Sequence, residues 1–234
     1  MCQDCRSGNV SRRGLIAGGM ALTLAAPFVT PAAAQDNVEV APVSPVEALQ
    51  RLMDGNARYA ANAAINTDHS ATRAARTQGQ QPFAAIVSCS DSRVPSELIF
   101  DQGLGDLFIV RTAGHVTGDL VIGTLEFAVH VLHVPLIMVM GHTQCGAVAA
   151  SLAGQSLPGR IGSIAIDLQP AVELARSEPG DQLLNAIHTN SRYTADKLIR
   201  ESAILGDAAD AGDLKIVPAY FDLKTSSVLL LQEG

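Results

Sequence analysis

The sequence predicts an α/β domain, a parallel sheet with helices on both faces. Three observations carry that expectation. Residues 83–88, 107–112 and 135–140 are short apolar runs without polar alternation, as in strands buried on both sides. Segments of helical period separate them, and such alternation lays the crossover helices over the faces of a parallel sheet. The chain has 234 residues, 47% hydrophobic and 17% charged, which excludes a disordered polymer and leaves room for one sizeable core. With no Trp and only 4% aromatic residues, that core must be built from Ala, Val, Leu and Ile. A net charge of −7 argues against a nucleic-acid partner.

Residues 1–34 read as an export signal rather than as part of the fold. Ser11-Arg12-Arg13-Gly14-Leu15-Ile16 resembles a twin-arginine signal, and an apolar stretch over 15–28 follows. Pro31-Ala32-Ala33-Ala34 then offers a small-residue cleavage site. Gly18, Gly19 and the modest length set the stretch apart from a membrane anchor, and no later apolar run approaches the roughly 18 residues needed to span a bilayer. The expected product is a single domain, 35–234. It is carried by the twin-arginine translocase to the periplasm or the medium, with no membrane attachment after cleavage. Cys2 and Cys5 form a C-x-x-C ahead of the twin arginines and receive no role in the mature protein.

Each element then has its own signal. Residues 35–43 form a tether without apolar period. Ser44-Pro45-Val46-Glu47 is a helix start: Ser caps, Pro occupies the first turn, Glu follows three residues after the cap. The helix is expected to run to about residue 63, with Val46, Leu49, Met53 and Ala57 on one face. Residues 70–78 suggest a short helix ended by Gly79 and Pro82. Strands follow at 83–88 and 107–112. Over 119–132, Val121, Leu125, Ala128 and Leu132 share a helical stripe. A strand at 135–140 precedes a small-residue helix over 146–153, closed by Gly154. Asp181 begins a long helix to about residue 205, and strands at 214–220 and 227–232 are joined by a turn at 223–226. No internal repeat or interdomain linker interrupts this series.

Chemistry in such sheets sits beyond the carboxyl ends of the strands. The first run is followed by Cys89-Ser90-Asp91-Ser92-Arg93-Val94-Pro95, the third by Gly141-His142-Thr143-Gln144-Cys145-Gly146. Both loops should leave the same edge, so Cys89, His142 and Cys145 converge. Two thiolates and an imidazole are a zinc set, and H-x-x-C lets His142 and Cys145 reach one ion from one turn. Three protein ligands leave a fourth tetrahedral position open for water. Either segment alone is a weak signal; together, each at a strand end, they are a strong one.

C-S-D-S-R followed about fifty residues later by G-H-x-x-C-G resembles the β-class carbonic anhydrases. The resemblance extends over nearly all of 35–234. It takes in the Gln80-Gln81-Pro82 lead-in, the strand at 107–111, the helix at 123–129 and the Cys145-Gly146 turn. It implies a mostly parallel five-stranded sheet, one Zn2+ per chain, and reversible hydration of carbon dioxide to bicarbonate through zinc-bound hydroxide. It also implies a homodimer, or a dimer of dimers, with sites near the subunit interface. Two thiolates give zinc more charge than imidazoles do, so the surroundings must orient the hydroxide. Asp91 and Arg93 are the expected pair for this task. Arg93 turns the Asp91 carboxylate away from the metal, and Asp91 accepts the hydroxide's hydrogen bond. In the family this Asp can also swing in as a fourth ligand and close the site.

Gln80 matches a substrate-binding Gln of the plant-type enzymes, with Gln81 as its neighbour alternative. Gly146 is the expected backbone donor to a substrate oxygen. Phe127, where many relatives have Tyr, suits either a hydrophobic wall for carbon dioxide or dimer packing. His69, His115, His130, His133 and His188 have no ligand-like spacing. One branch of the family is inhibited by bicarbonate in a second pocket built on a Trp three residues before the first zinc Cys. Here that position is Ile86, and Arg111 would stand without its partners. The non-allosteric type is therefore expected. Three other readings remain open: a Cys89–Cys145 disulfide in a non-catalytic secreted protein, the same fold acting on carbon disulfide or carbonyl sulfide, and cysteine-nucleophile catalysis.

Overall fold

A computed structural model describes residues 43–70 and 75–232. The expected export signal, Cys2, Cys5 and nearly all of the expected tether lie outside the described residues. Among the described residues five strands form one sheet, β1 (Ala84–Cys89), β2 (Leu107–Thr112), β3 (Leu136–His142), β4 (Lys215–Asp222) and β5 (Ser227–Leu230). Their order is β2-β1-β3-β4-β5. β2, β1, β3 and β4 run parallel, and β5 returns antiparallel to β4 through a short turn. This is the expected fold class. The central strands β1 and β3 are buried along their whole length, whereas the edge strands β2 and β5 are partly open.

Alternation along the strands divides the core into two layers. Ala84, Ile86, Leu136, Met138 and Met140 pack on one face against Ala48 and Leu52 of α1 (Pro45–Ala60) and Ile99 of α2 (Ser96–Ile99). Ala85, Val87, Ile137 and Val139 pack on the other, against Ile122, Leu125 and Ala128 of α3 (Asp119–His130), Ala195 and Leu198 of α6 (Gln182–Glu201) and Leu205 of α7 (Ala203–Asp210). Beyond them, α4 (Gly146–Leu152) and α5 (Ile161–Ala175) cover the carboxyl-end corner with Val148, Leu168 and Val172. From β1 the chain moves to one side to form β2, then crosses to the other side for β3. The strand order therefore reverses between β1 and β3, and a crevice opens at their carboxyl ends.

Several expectations are corrected. α1 buries Ala48, Leu52, Gly55 and Asn56; of the expected stripe Leu49 and Met53 pack partly buried against the core, whereas Val46, at 72%, and Ala57 are exposed. The polar Asn56 faces inward because its amide donates to the Ile99 and Ser226 carbonyls and accepts from the Val228 amide. The expected helix over 70–78 is reduced, among the described residues, to a 3-10 turn at Ala75–Thr77. The long helix from Asp181 ends at Glu201. Ser202 takes an extended conformation, and its hydroxyl accepts from the Leu205 amide to start α7. α5 has no counterpart among the expected elements; it carries Pro170 in its interior and still buries Leu168, Ala171 and Val172. Finally, β3 extends two residues beyond the expected strand, so His142 is the last strand residue, opposite Phe221, and not a loop residue.

Candidate metal centre

β1 ends at Cys89 and β3 at His142, both at the crevice, and Cys145 follows as the residue that caps α4. One turn joins His142 to Cys145, and Gln144 makes it in the left-handed region at φ 58°. The two sulfurs and a ring nitrogen of His142 lie within 4.8 Å of one another, and all three residues are buried. Cys89 and Cys145 are free, with their Sγ atoms 4.0 Å apart. Two thiolates about 2.3 Å from a tetrahedral zinc would stand roughly 3.8 Å apart, so the spacing fits the ion.

The histidine is prepared for the same task. Its Nδ1 lies 2.9 Å from the Thr143 carbonyl, which fixes the proton there and leaves the Nε2 lone pair free. That buried Nε2 has no hydrogen-bond partner among the described residues. Thr143 is itself held, because its amide donates to Phe221 O and its hydroxyl accepts from Leu223 N. The donor set, the spacing and the orphaned nitrogen thus fit a zinc ion. Without a metal, the hydrogen bond with Cys145 pulls the Cys89 thiol down against its burial. The same contact, with burial, pushes Cys145 far up. The pair shares one proton, which a cation would displace.

Asp91 stands beside this cluster. Arg93 grips its carboxylate with two parallel bonds, Nε to Oδ1 at 2.9 Å and Nη2 to Oδ2 at 2.8 Å, and the Arg93 amide adds a third at 3.0 Å. Asp91 Oδ2 still lies 4.0 Å from His142 Nε2. The Arg93 hydrogen bonds hold the Asp91 carboxyl far below the usual carboxylate range. Arg111, at the end of β2, braces the loop from behind: its guanidinium donates to the carbonyls of Cys89 and Asp91.

The remaining expected residues divide. Gly146 is the first residue of α4, where a helix leaves its N–H groups without intrahelical partners; it is exposed, and a Cβ there would meet open space. Gln80 is exposed and precedes the amino end of β1, so about 20 Å of strand separates it from Cys89. It does not join its own chain's metal cluster. Phe127 lies off the buried face of α3 and is 47% exposed. Ile86 is fully buried in β1. His130 and His133 are exposed, and the His188 ring meets Tyr220 edge-on. His115, by contrast, is fully buried near the cluster in a left-handed conformation at φ 47°. Its sequence spacing carried no signal; the preceding Thr-Ala-Gly after a strand was the only local cue.

Comparison with known proteins agrees with this geometry. Residues 84–228 match the family model described as carbonic anhydrase. The chain is 40% identical over 194 residues to a carbonic anhydrase of Mycolicibacterium smegmatis, covering 80% of this chain and 93% of that protein. It is 39% identical over 195 residues to carbonic anhydrase 2 of Mycobacterium tuberculosis, with the same coverage of 80% and 93%. Among solved structures, the β-carbonic anhydrase CafA of Aspergillus fumigatus superposes with a TM-score of 0.65 at 26% identity, over 80% of this chain and 91% of that one.

Proposed function

This chain belongs to the carbonic anhydrase family, and from that premise we propose that it hydrates carbon dioxide reversibly to bicarbonate at a zinc ion held by Cys89, His142 and Cys145. The observation that carries the reading is the convergence of three buried ligand atoms beside an Arg-gripped carboxylate. Cys89, His142 and Cys145 would hold the zinc, and the chemistry it would supply when bound is the Lewis acidity that lets water ionise near neutral pH. Asp91 Oδ2 would accept a hydrogen bond from the attacking water and so orient it toward carbon dioxide. Arg93 keeps that carboxylate oriented and opposes its swinging in as a fourth ligand. The Gly146 amide donates to the substrate oxygen that gains charge. Zinc analysis with a carbon dioxide hydration assay tests the reading. One zinc per chain and hydration are expected, and Cys145→Ser should lose both together. A Cys145→Ser protein that keeps one zinc per chain would sink this ligand set, and turnover of carbon disulfide or carbonyl sulfide in place of carbon dioxide would sink the substrate.

Gln80 acts in this scheme on the site of a second copy, a role its distance from Cys89 supports. The working unit is then at least a homodimer. Leu120 and Phe127, exposed on α3, and Val131, exposed just after it, supply apolar surface for such an interface.

Regulation by a second bicarbonate is absent in this proposal. Arg111 is committed to the Cys89 and Asp91 carbonyls, and Ile86 offers no donor to an anion. Rates at rising bicarbonate should show simple product inhibition without cooperativity. The chain is also exported by the twin-arginine route and works in the periplasm or outside the cell, as Arg12-Arg13 and the small-residue site at 31–34 suggest. Replacing Arg12-Arg13 by Lys-Lys should leave the uncleaved protein in the cytoplasm; unchanged export would remove this part of the reading.

A further inference from the structure

Among the polar side chains that α6 buries, Asn190 and Ser191 are 2% and 0% exposed. Polar groups so placed need partners. The Asn190 amide nitrogen donates to Gly114 O at 3.0 Å and lies 2.7 Å from His115 Nε2. Both of its N–H groups are thereby used, so His115 Nε2 is an acceptor and the ring is neutral with its proton on Nδ1. Burial, which pulls His115 down to about 4, keeps it so. Ser191 Oγ accepts from the Gly141 amide at 3.1 Å, immediately before His142, and lies 3.4 Å from the same His115 nitrogen. The approach is close enough that a Cβ on Gly141 would stand 2.8 Å from Ser191 Oγ and from Ile187 Cγ2.

What this clamp holds is an unusual piece of backbone. Gly114 and His115 are consecutive left-handed residues, at φ 69° and 47°. A Cβ on Gly114 would press on Leu168 and Ala147, at 3.1 and 3.2 Å. In this conformation the Gly114 amide points at Cys89 Sγ, 3.3 Å away. A sulfur that accepts an N–H donates less charge to a metal. With two thiolates in the set, relief of charge at one of them strengthens the Lewis acid.

We propose that Asn190 is a positioning residue for the metal centre: through Gly114 and His115 it aims the Gly114 amide at the Cys89 sulfur and tunes that ligand. The proposal rests on the metal reading given above. The test uses the full protein loaded with Co2+, whose thiolate-to-metal charge-transfer band reports sulfur donation. Asn190→Leu should keep one cobalt per chain but shift that band to longer wavelength, and move the midpoint of the hydration pH profile upward. Thr189→Ala removes a buried hydroxyl of α6 that bonds Glu178 and no part of the metal cluster; its band should stay at the wild-type position. An unshifted band in folded, loaded Asn190→Leu, or an equal shift in Thr189→Ala, overturns the proposal. The unmutated protein loaded with 113Cd gives an independent reading, a scalar coupling from the Gly114 amide proton to the metal through Cys89 Sγ. Its absence overturns the proposal even where Asn190→Leu does not fold. Failure of the wild-type protein to take up Co2+ at Cys89 and Cys145 would instead overturn the metal reading itself.

Discussion

In the proposed mechanism Asp91 and Arg93 divide one task between two charged side chains. Arg93 N–H groups occupy both carboxylate oxygens, yet Oδ2 keeps a lone pair on the side of His142. The same bonds hold the Asp91 carboxyl far below its ordinary value, so it is ionised throughout the working range. Loss of Arg93 would let that value rise toward about 4, still well under neutrality. The charge of Asp91 at pH 7 is therefore the same with or without Arg93, and only its aim differs. Arg93→Ala and Asp91→Asn should each keep zinc and lose about 10- to 100-fold in hydration rate. The Arg93→Ala loss should be equal across pH 6 to 9. Recovery of that rate as pH rises would show that ionisation, not orientation, was at stake, and loss of zinc in step with rate would make Asp91 a ligand.

At the scale of elements, α1 poses a conflict of magnitudes. Gly55 lies in the middle of the helix, where Ala is normally better by about 1 kcal/mol. A Cβ at this position, however, would stand 1.8 Å from the Phe100 carbonyl oxygen. Such overlap forces α1 away from the loop after α2 at a cost of about 3 kcal/mol or more, so the clash wins. Gly55→Ala should lower the urea midpoint clearly; a more stable protein would mean that this approach is wrong. The same element shows why parts of the fold were hidden in the sequence. Hydropathy registers apolar periods, and beside its apolar residues α1 is oriented by Asn56 hydrogen bonds and a glycine contact. α5 was concealed by Pro170, and the break before α7 by a single capping Ser202 in an otherwise helical run. β1 and β3 were legible because strands buried on both faces read as plain apolar runs, and the proposed ligands were legible because each motif begins where a strand ends. His115, Asn190 and Arg111 were not, since they act through backbone groups of other segments that no spacing reveals.

The whole molecule sets the final constraint. The reversal of strand order between β1 and β3 brings Cys89 and His142 to one crevice, and the same parallel arrangement sends the lead-in to β1 to the opposite edge. Gln80 is on that lead-in, beyond the opposite end of β1 from the proposed zinc ligand Cys89. In a symmetric dimer each site would combine the ligands of one chain with Gln80 of the other. A mixing experiment separates this arrangement from an idle surface glutamine. Gln80→Ala homodimers would have two metal sites without the glutamine, and Cys145→Ser homodimers would have the glutamine without competent metal sites. A mixed dimer would restore one complete site, because the Gln80→Ala chain keeps its ligands and receives Gln80 from the Cys145→Ser chain. Dissociated and reassociated mixtures should then exceed the mean hydration rate of the two parents, with the excess greatest near equal proportions. A rate that follows the mean at every proportion, with subunit exchange shown by differently tagged chains, would place Gln80 outside the chemistry.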